Sequence, residues 1–489
     1  MNKLFKINEN DNAAVALEPL KQGEIADGIK ILDDIPFGHK VLLEDKNENE
    51  NIIKYGNAIG HLTKDCKKGE HIHEHNLKTN LSDIIDYSFS GDNKYEPKES
   101  NITFDGYMRE NGKAATRNEI WIIPTVGCVN NTAKKLEKIG QSLIGNECDG
   151  VFAYTHPFGC SQLGDDQENT RKVLASLANH PNAGGVLIVS LGCENTNIKT
   201  FKKYLGDINN DRIKFLVTQD CEDELKDGEK LLKELISYVK SFKREPIPIN
   251  KLVVGYKCGG SDAFSGITAN ALCGRLTDKI TSFGASAILT EVPEMFGAEK
   301  LLMQRCENKE VFDKCVNMIN SFKKYFFSHG QECYENPSPG NHDGGITTLE
   351  EKSLGCIQKG GKATVTDILK YGEHCKKQGL NLLTGPGNDI VSVTNLTASG
   401  ANIIFFTTGR GTPLGAPVPT IKISSNSNLA KRKSNWIDFD AGKLIEKPEF
   451  DNMTEEIFKL LIDTASGKKT KNEINDYREI SIFKDGVIM

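Results

Sequence analysis

The sequence predicts an α/β protein in which a small β-rich N-terminal domain precedes one or two domains built on parallel sheets. Three observations predict it. Residues 1–84 contain short β-prone pieces (13–17, 40–43 and 51–54) broken by Gly, Asp and Asn, with little helical period. Residues 85–103 are polar, poor in aliphatic side chains and contain a proline, the composition of an exposed linker. Beyond the linker, apolar strand-like runs alternate with charged amphipathic segments, the pattern of a parallel, doubly wound sheet.

The alternation opens with a run at 119–126 and an amphipathic segment at 132–144. It repeats at 150–154 with 167–179, at 184–191, and at 214–219 with 222–239. Prolines within 243–250 interrupt it and separate a domain at 104–245 from one at 250–489. The pattern then restarts at 251–256, 285–290 and 401–407. A chain of 489 residues exceeds one ordinary core, so division into domains also follows from length.

Composition excludes several functions. Lys and Arg number 61 against 67 Asp and Glu, a net charge of −6, which leaves no basic excess for a nucleic-acid backbone. The longest apolar runs, at 120–126 and 185–191, are strand-length, well short of the roughly 20 residues that cross a bilayer. The first ten residues lack the apolar core of a secretory signal, so a cytoplasmic location is expected. Thirteen cysteines spread from Cys66 to Cys375 then read as free thiols or metal ligands rather than disulfides. A homo-oligomer stays open.

Six predicted strands run into Gly-rich polar loops, at 127–128, 155–160, 192–195, 257–262, 291–294 and 407–412. Open α/β sheets bind ligands beyond the carboxyl ends of their strands, so the six loops predict a polar cleft compatible with an anion. Among candidate ligands, His71, His73 and His75 fall on every second residue, which in a strand puts three imidazoles on one face and suits a first-row metal. His39 and Lys40 lie in a preceding β-prone piece. Cys128, Cys160, Cys193, Cys258 and Cys356 each adjoin a glycine and form a second, weaker ligand set, for iron or an iron–sulfur cluster. Asp165, Asp166 and Glu168 open a predicted helix, where carboxylates also complement the dipole. Arg109, Thr116, Arg117 and Asn118, the segment from Asn336 to His342, and Thr408 to Arg410 offer forks and hydroxyl binders that suit a polyhydroxy acid. No P-loop, dinucleotide fingerprint or GxSxG elbow is present.

These motifs resemble the altronate/galactarate dehydratase family. Gly38-His39-Lys40, Ile53-Lys54-Tyr55-Gly56 and the segment from Gly69 to Asn76 look like its N-terminal SAF (β-clip) domain. Thr116-Arg117-Asn118, the segment from Pro124 to Cys128, Gly159 to Asp166, Leu191 to Asn195, Cys258 to Thr268, Glu291 to Glu299, Asn336 to Gly361 and Thr407 to Pro413 look like its catalytic body. The similarity extends from about Asp11 to Ile445, and the tail after about Asn452 carries no motif. Departures are Lys300, Ala271, and His342 where Lys is usual.

The resemblance implies dehydration of D-altronate to 2-dehydro-3-deoxy-D-gluconate in hexuronate catabolism, with ferrous iron first and manganese second as the divalent metal. Galactarate dehydratase is the neighbouring activity, and a non-catalytic sugar-acid binding protein is the alternative of another class. The expected roles are a metal on His71, His73 and His75; Lys40 or His39 as base; and Asp166 or Glu194 as acid. Substrate contacts are expected from Arg117, Asn118, Ser261, Asp262, Asn341 and Arg410.

Overall fold

The computed structural model describes residues 2–81, 87–89, 91, 93–333 and 336–486. The N-terminal domain is β-rich, as predicted. An antiparallel sheet holds β1 (Leu4–Phe5), β2 (Ala13–Ala16), β3 (Lys40–Leu42) and β4 (His71–Ile72) in that order. Strands Asn51–Lys54, Asn57–Leu62 and Leu77–Lys78 form a second antiparallel sheet. Side chains alternate across a strand, so β2 serves two cores. Ala14 and Ala16 join Leu20, Ile31 and Val41 inside the domain, while Val15 packs against Ala263 and Phe264 of the C-terminal body. The β-rich domain is therefore docked, not tethered. The expected linker boundary at 84–85 lies outside the described residues, and further along the expected linker Tyr87 and Tyr95 donate hydrogen bonds to Glu299 (2.6 Å) and to the Thr281 carbonyl (2.7 Å), pinning that segment to the body.

The body has two parallel sheets. β5 (Glu119–Pro124), β6 (Gly150–Ala153), β7 (Ala183–Ser190) and β8 (Ile213–Val217) align in the order β6-β5-β7-β8. All eight residues of β7 are buried, as a central strand covered by helices on both faces requires. The second sheet holds β9 (Val253–Cys258), β10 (Ser286–Leu289), β11 (Val365–Leu369), β12 (Gly379–Leu383), β13 (Ile403–Thr408), β14 (Thr420–Ser424) and β15 (Phe439–Asp440), in the order β11-β12-β10-β9-β13-β14-β15. Trp121, Ile123 and Ile188 of the first sheet share one core with Ile404 and Phe406 of the second and with Val393 of the helix Asp389–Ala398. Charged positions obscure some of these strands: β14 carries the fully buried Lys422 at its centre. The proline segment forms strand Glu245–Pro248, paired with Thr103–Met108. Among the described residues no helix is long and apolar enough to cross a membrane.

The tail without a motif is a strap. Helix Phe450–Ala465 leads to Glu473, whose carboxylate accepts from Arg117 Nε at 2.7 Å and Nη2 at 3.0 Å. The other Arg117 donors go to the Thr116, Thr464 and Lys468 carbonyls. All five guanidinium N–H groups are thus committed in a buried site, which corrects the expectation that Arg117 clamps substrate. Asn118 is equally committed, accepting from Arg109 and donating to the Glu147 and Val239 carbonyls. Asp166 receives the backbone N–H groups of Asp485 and Gly486, both at 2.7 Å, and so anchors the strap instead of serving as an acid. Removing one partner of a buried pair costs about 3–5 kcal/mol. Arg117→Ala should lower the unfolding free energy by that order, read as a fall in the denaturant midpoint, and an unchanged midpoint would contradict the strap.

Candidate active site

β3 pairs antiparallel with β4, Lys40 facing Ile72 and Val41 facing His71, which brings His39, just before β3, beside the histidine motif. His39 Nδ1 lies 3.0 Å from His71 Nε2, and one ring nitrogen from each of His39, His71 and His73 falls within 4.8 Å of the others. Imidazole bonds of about 2.1 Å to one ion need nitrogens about 3 Å apart, so the trio suits a divalent metal after small side-chain adjustments. The expected one-face strand ends early. The Asn76 and Leu77 amides both turn back to the His73 carbonyl, at 3.0 and 2.9 Å, which breaks the two-residue period. His75 is left exposed with its ring 5.3 Å from that of His71, and His39 takes its place in the trio.

Electrostatics favours ligation. Burial, then the adjacent imidazoles of His39 and His75 and the charge of Lys40, bring the His71 pKa down to about 4. Burial and then Lys40 bring His73 down to about 3, and the same two causes lower His39. Neutral imidazole is the form that binds metal. His73 Nδ1 also meets Thr347 Oγ1 at 2.9 Å, a contact that fixes ring orientation.

Behind the trio, Lys40 is fully buried and donates to the Gly345 carbonyl (2.9 Å), Thr347 Oγ1 (2.6 Å) and Glu351 (2.9 Å). Lys54 reaches the other Glu351 oxygen at 2.6 Å. Burial alone would raise the Glu351 carboxyl, but Lys40 and Lys54 outweigh it and hold it down at about 2. Burial lowers Lys40 to about 8, yet with all three donors used its ammonium is an anchor and not the expected free base. The body meets this network closely: a Cβ added at Gly345 would lie 2.4 Å from the Gly38 carbonyl oxygen. Sequence reasoning assigned no role to Thr347 or Glu351. Thr348 caps helix α1 (Leu349–Cys356), accepting from the Glu351 amide at 3.3 Å, so the Thr-x-x-Glu signal marks a helix start without revealing its partners.

A cleft of about 330 Å³ beside the trio is lined by Glu74, Thr79, Pro337, His342 and Thr347. His342 Nδ1 lies 3.0 Å from the Ile346 carbonyl and so donates to it, leaving Nε2, 3.5 Å from Glu74, to exchange protons. Arg410 is about half exposed (51%), with Asp343 at 3.9 Å, and the Asp343 carbonyl is 3.4 Å from His39 Nε2. Asn341, Ser261 and Asp262 frame the site rather than open into it. Asn341 donates to the Ser261 carbonyl at 2.9 Å, and the Asp262 carboxylate accepts from Ser265, Ser425 and Asn426. Glu194 lies elsewhere, beyond β7. Burial would raise its carboxyl, but donors from Ser190, Thr125 and the Gly192 amide hold it below the usual range, so it is not a proton donor near neutrality.

Cys258, Cys356 and Glu294 form another close group. The sulfurs are 3.4 Å apart, and Glu294 is 2.9 and 3.1 Å from them. Lys257 pairs with Glu291, and Lys352 with Glu294 at 2.9 Å, so this buried centre is already charge-compensated by ammonium groups and fits a metal cation less well than the imidazole trio. Cys128, Cys160 and Cys193 lie apart from both, at the ends of the first parallel sheet.

Two outcomes test this geometry. Manganous ion affinity, read from the free-ion EPR signal, should fall at least about tenfold in His39→Ala, His71→Ala and His73→Ala and little in His75→Ala; a loss in His75→Ala as large as in His39→Ala would contradict the trio. The folded Glu351 carboxyl at about 2 lies below its ordinary 4.5, so its stabilisation is complete above that value and fades as pH falls through the interval. Glu351→Gln should flatten stability against pH between those values, and an unchanged slope would place the acid sensitivity elsewhere.

Comparison with known proteins agrees with this architecture. The altronate/galactarate dehydratase SAF domain matches residues 2–80, the second domain of D-galactarate dehydratase/altronate hydrolase matches 106–240, and the C-terminal D-galactarate/altronate dehydratase domain matches 249–488. The chain is 50% identical to an altronate dehydratase of Bacillus subtilis (strain 168), covering 100% of both chains. It is 47% identical to an altronate dehydratase of Escherichia coli (strain K12), covering 99% of each. Against the galactarate dehydratase (L-threo-forming) of Escherichia coli (strain K12) it is 31% identical, over 95% of this chain and 93% of that one. A β-rich domain docked on two parallel sheets, matched domain by domain and over its whole length, places the chain in the altronate/galactarate dehydratase family.

Proposed function

We propose that this chain is a divalent-metal-dependent hydro-lyase that converts D-altronate to 2-dehydro-3-deoxy-D-gluconate and water. The observation that carries this reading is the neutral His39–His71–His73 trio beside a cleft that also holds the His342–Glu74 pair. The two full-length relatives named altronate dehydratase favour altronate over galactarate as substrate. Ferrous iron, or manganese in second place, held by these imidazoles would supply Lewis acidity toward the substrate carboxylate and C2 hydroxyl.

The chain's own groups account for the proton movements. The C2 proton of a hydroxy acid is weakly acidic, so its removal needs a positioned base. His342 Nε2 takes it, and Glu74 stabilises the resulting imidazolium. The C2–H electron pair becomes the C2=C3 bond as the C3–O bond breaks. The proton on Nε2 passes to the departing hydroxyl, which leaves as water, and the enol rearranges to the 2-keto-3-deoxy acid. Arg410, with guanidinium donors facing solvent, receives a substrate carboxylate in two hydrogen bonds. Thr347 orients His73, and Lys40 holds Thr347.

Formation of 2-keto-3-deoxy acid should be followed from D-altronate, D-galactarate and D-mannonate in parallel, anaerobically with ferrous or manganous ion and again with chelator. Chelator-sensitive turnover of altronate is expected; turnover of another acid alone would reassign the substrate, and none at all would favour a binding protein. His342→Ala should lower kcat by about 10²–10⁴-fold with metal content preserved, and an unchanged kcat would remove His342 from proton transfer.

A further inference from the structure

Three of the thirteen cysteines are exposed, and all three sit beyond the carboxyl ends of adjacent parallel strands: Cys128 after β5, Cys160 after β6 and Cys193 after β7. A free cysteine is ordinarily a small buried hydrophobe, so three exposed thiols at one end of one sheet need another explanation. The register aligns two of them. Pro124 pairs with Val189, and Cys128 and Cys193 each follow four residues later. The loop bearing Cys160 crosses the end of the central strand to touch both neighbours. The Gly127 amide donates to the Phe158 carbonyl at 2.9 Å, and the Thr196 amide to the Gly159 carbonyl at 3.2 Å. Gly159 makes the crossing feasible: at φ +106° its missing Cβ would lie 1.9 Å from the Thr125 carbonyl oxygen.

The surroundings fit thiolates that hold a group. Gln219 Nε2 lies 3.4 Å from Cys193 Sγ, an N–H···S contact of the kind that stabilises ligated sulfur. Asn195 Oδ1 accepts from the Cys160 thiol at 3.3 Å and from the Ser161 amide at 3.0 Å, which holds the protonated thiol against the Cys193 loop; that S–H bond is given up when the thiol is deprotonated. In the same loops Gln162 Nε2 and Thr196 Oγ1 are buried without hydrogen-bond partners, as is Arg171 Nε, while another Arg171 nitrogen donates to the Asn195 carbonyl at 2.8 Å. Buried polar groups are normally satisfied, and an orphaned set beside three thiols points to an absent ligand. A single tetrahedral ion with sulfur bonds of about 2.3 Å needs sulfurs under about 4 Å apart. Among the described residues, Cys258 and Cys356 meet that spacing with Glu294, and no group that close includes Cys128, Cys160 or Cys193; in an iron–sulfur cluster each thiolate binds its own iron, so the sulfurs need not converge on one ion.

We propose that Cys128, Cys160 and Cys193 bind a [4Fe–4S] cluster, one thiolate to each of three irons, with the fourth iron left to an oxygen ligand from water or a hydroxy acid. Three thiol protons are released on binding. This site is separate from the imidazole trio and does not depend on the altronate reading.

The full chain should be purified anaerobically and incubated with sulfide and equal amounts of ferrous and ferric iron, which together supply the two Fe(II) and two Fe(III) of the cluster without a further oxidant. Expected are equal amounts of iron and acid-labile sulfide in the protein, visible iron–sulfur charge-transfer absorption, and loss of both in Cys128→Ser, Cys160→Ser and Cys193→Ser but not in Cys221→Ser. Iodoacetamide labelling read by mass spectrometry gives an independent measure on the wild-type chain: the three thiols should be modified before reconstitution and protected after it. Iron without sulfide, a cluster that survives the triple serine variant, or equal labelling before and after reconstitution would overturn the proposal.

Discussion

The buried carboxylate of Glu351, shared between Lys40 and Lys54, is the constraint on which the imidazole site depends. Glu351 belongs to a helix of the body, whereas both lysines come from the β-rich domain. A buried charge left unpaired is costly, so neither surface is stable without the other in register. Once they engage, Lys40 also fixes Thr347, and Thr347 meets His73. The same contact that docks the small domain thus orients a metal ligand, and His39, next to Lys40, arrives beside His71 in the same step.

This linkage explains how the interface divides labour. The body contributes Thr347, His342 and Arg410, and the β-rich domain contributes His39, His71, His73 and Glu74. Imidazoles surrounded by low-dielectric packing and a nearby ammonium stay neutral, the state a divalent cation requires. The cation-rich surroundings of Cys258 and Cys356 create the opposite condition, with lysines already meeting the carboxylates. Two ligand groups in one chain, one partly buried and one fully buried, are therefore distinguished by their counter-charges more than by their donor atoms.

Much of the fold was legible because parallel strands buried on both faces leave continuous apolar runs, as in β5 and β7. β14 was hidden because Lys422 interrupts its pattern, and the strap was hidden because its partners, Arg117 and Asp166, lie more than three hundred residues away in sequence. The histidine motif was legible as chemistry, but not its third member. The two-residue period extends only to His73, and the choice of His39 over His75 rests on strand pairing that spacing cannot disclose. Arginines were the poorest guide. Arg117 and Arg410 look alike in sequence, yet one is saturated by internal acceptors and the other faces solvent.

The central claim is that the β-rich domain brings a set of imidazoles to the body as the ligands of one divalent ion. X-ray absorption of the manganese-loaded full-length chain tests it most directly, because nitrogen and sulfur scatter differently in the first shell. The account predicts histidine nitrogen and oxygen neighbours with the multiple-scattering signature of imidazole and no sulfur; manganese–sulfur scattering would place the ion on cysteine thiolates and contradict it.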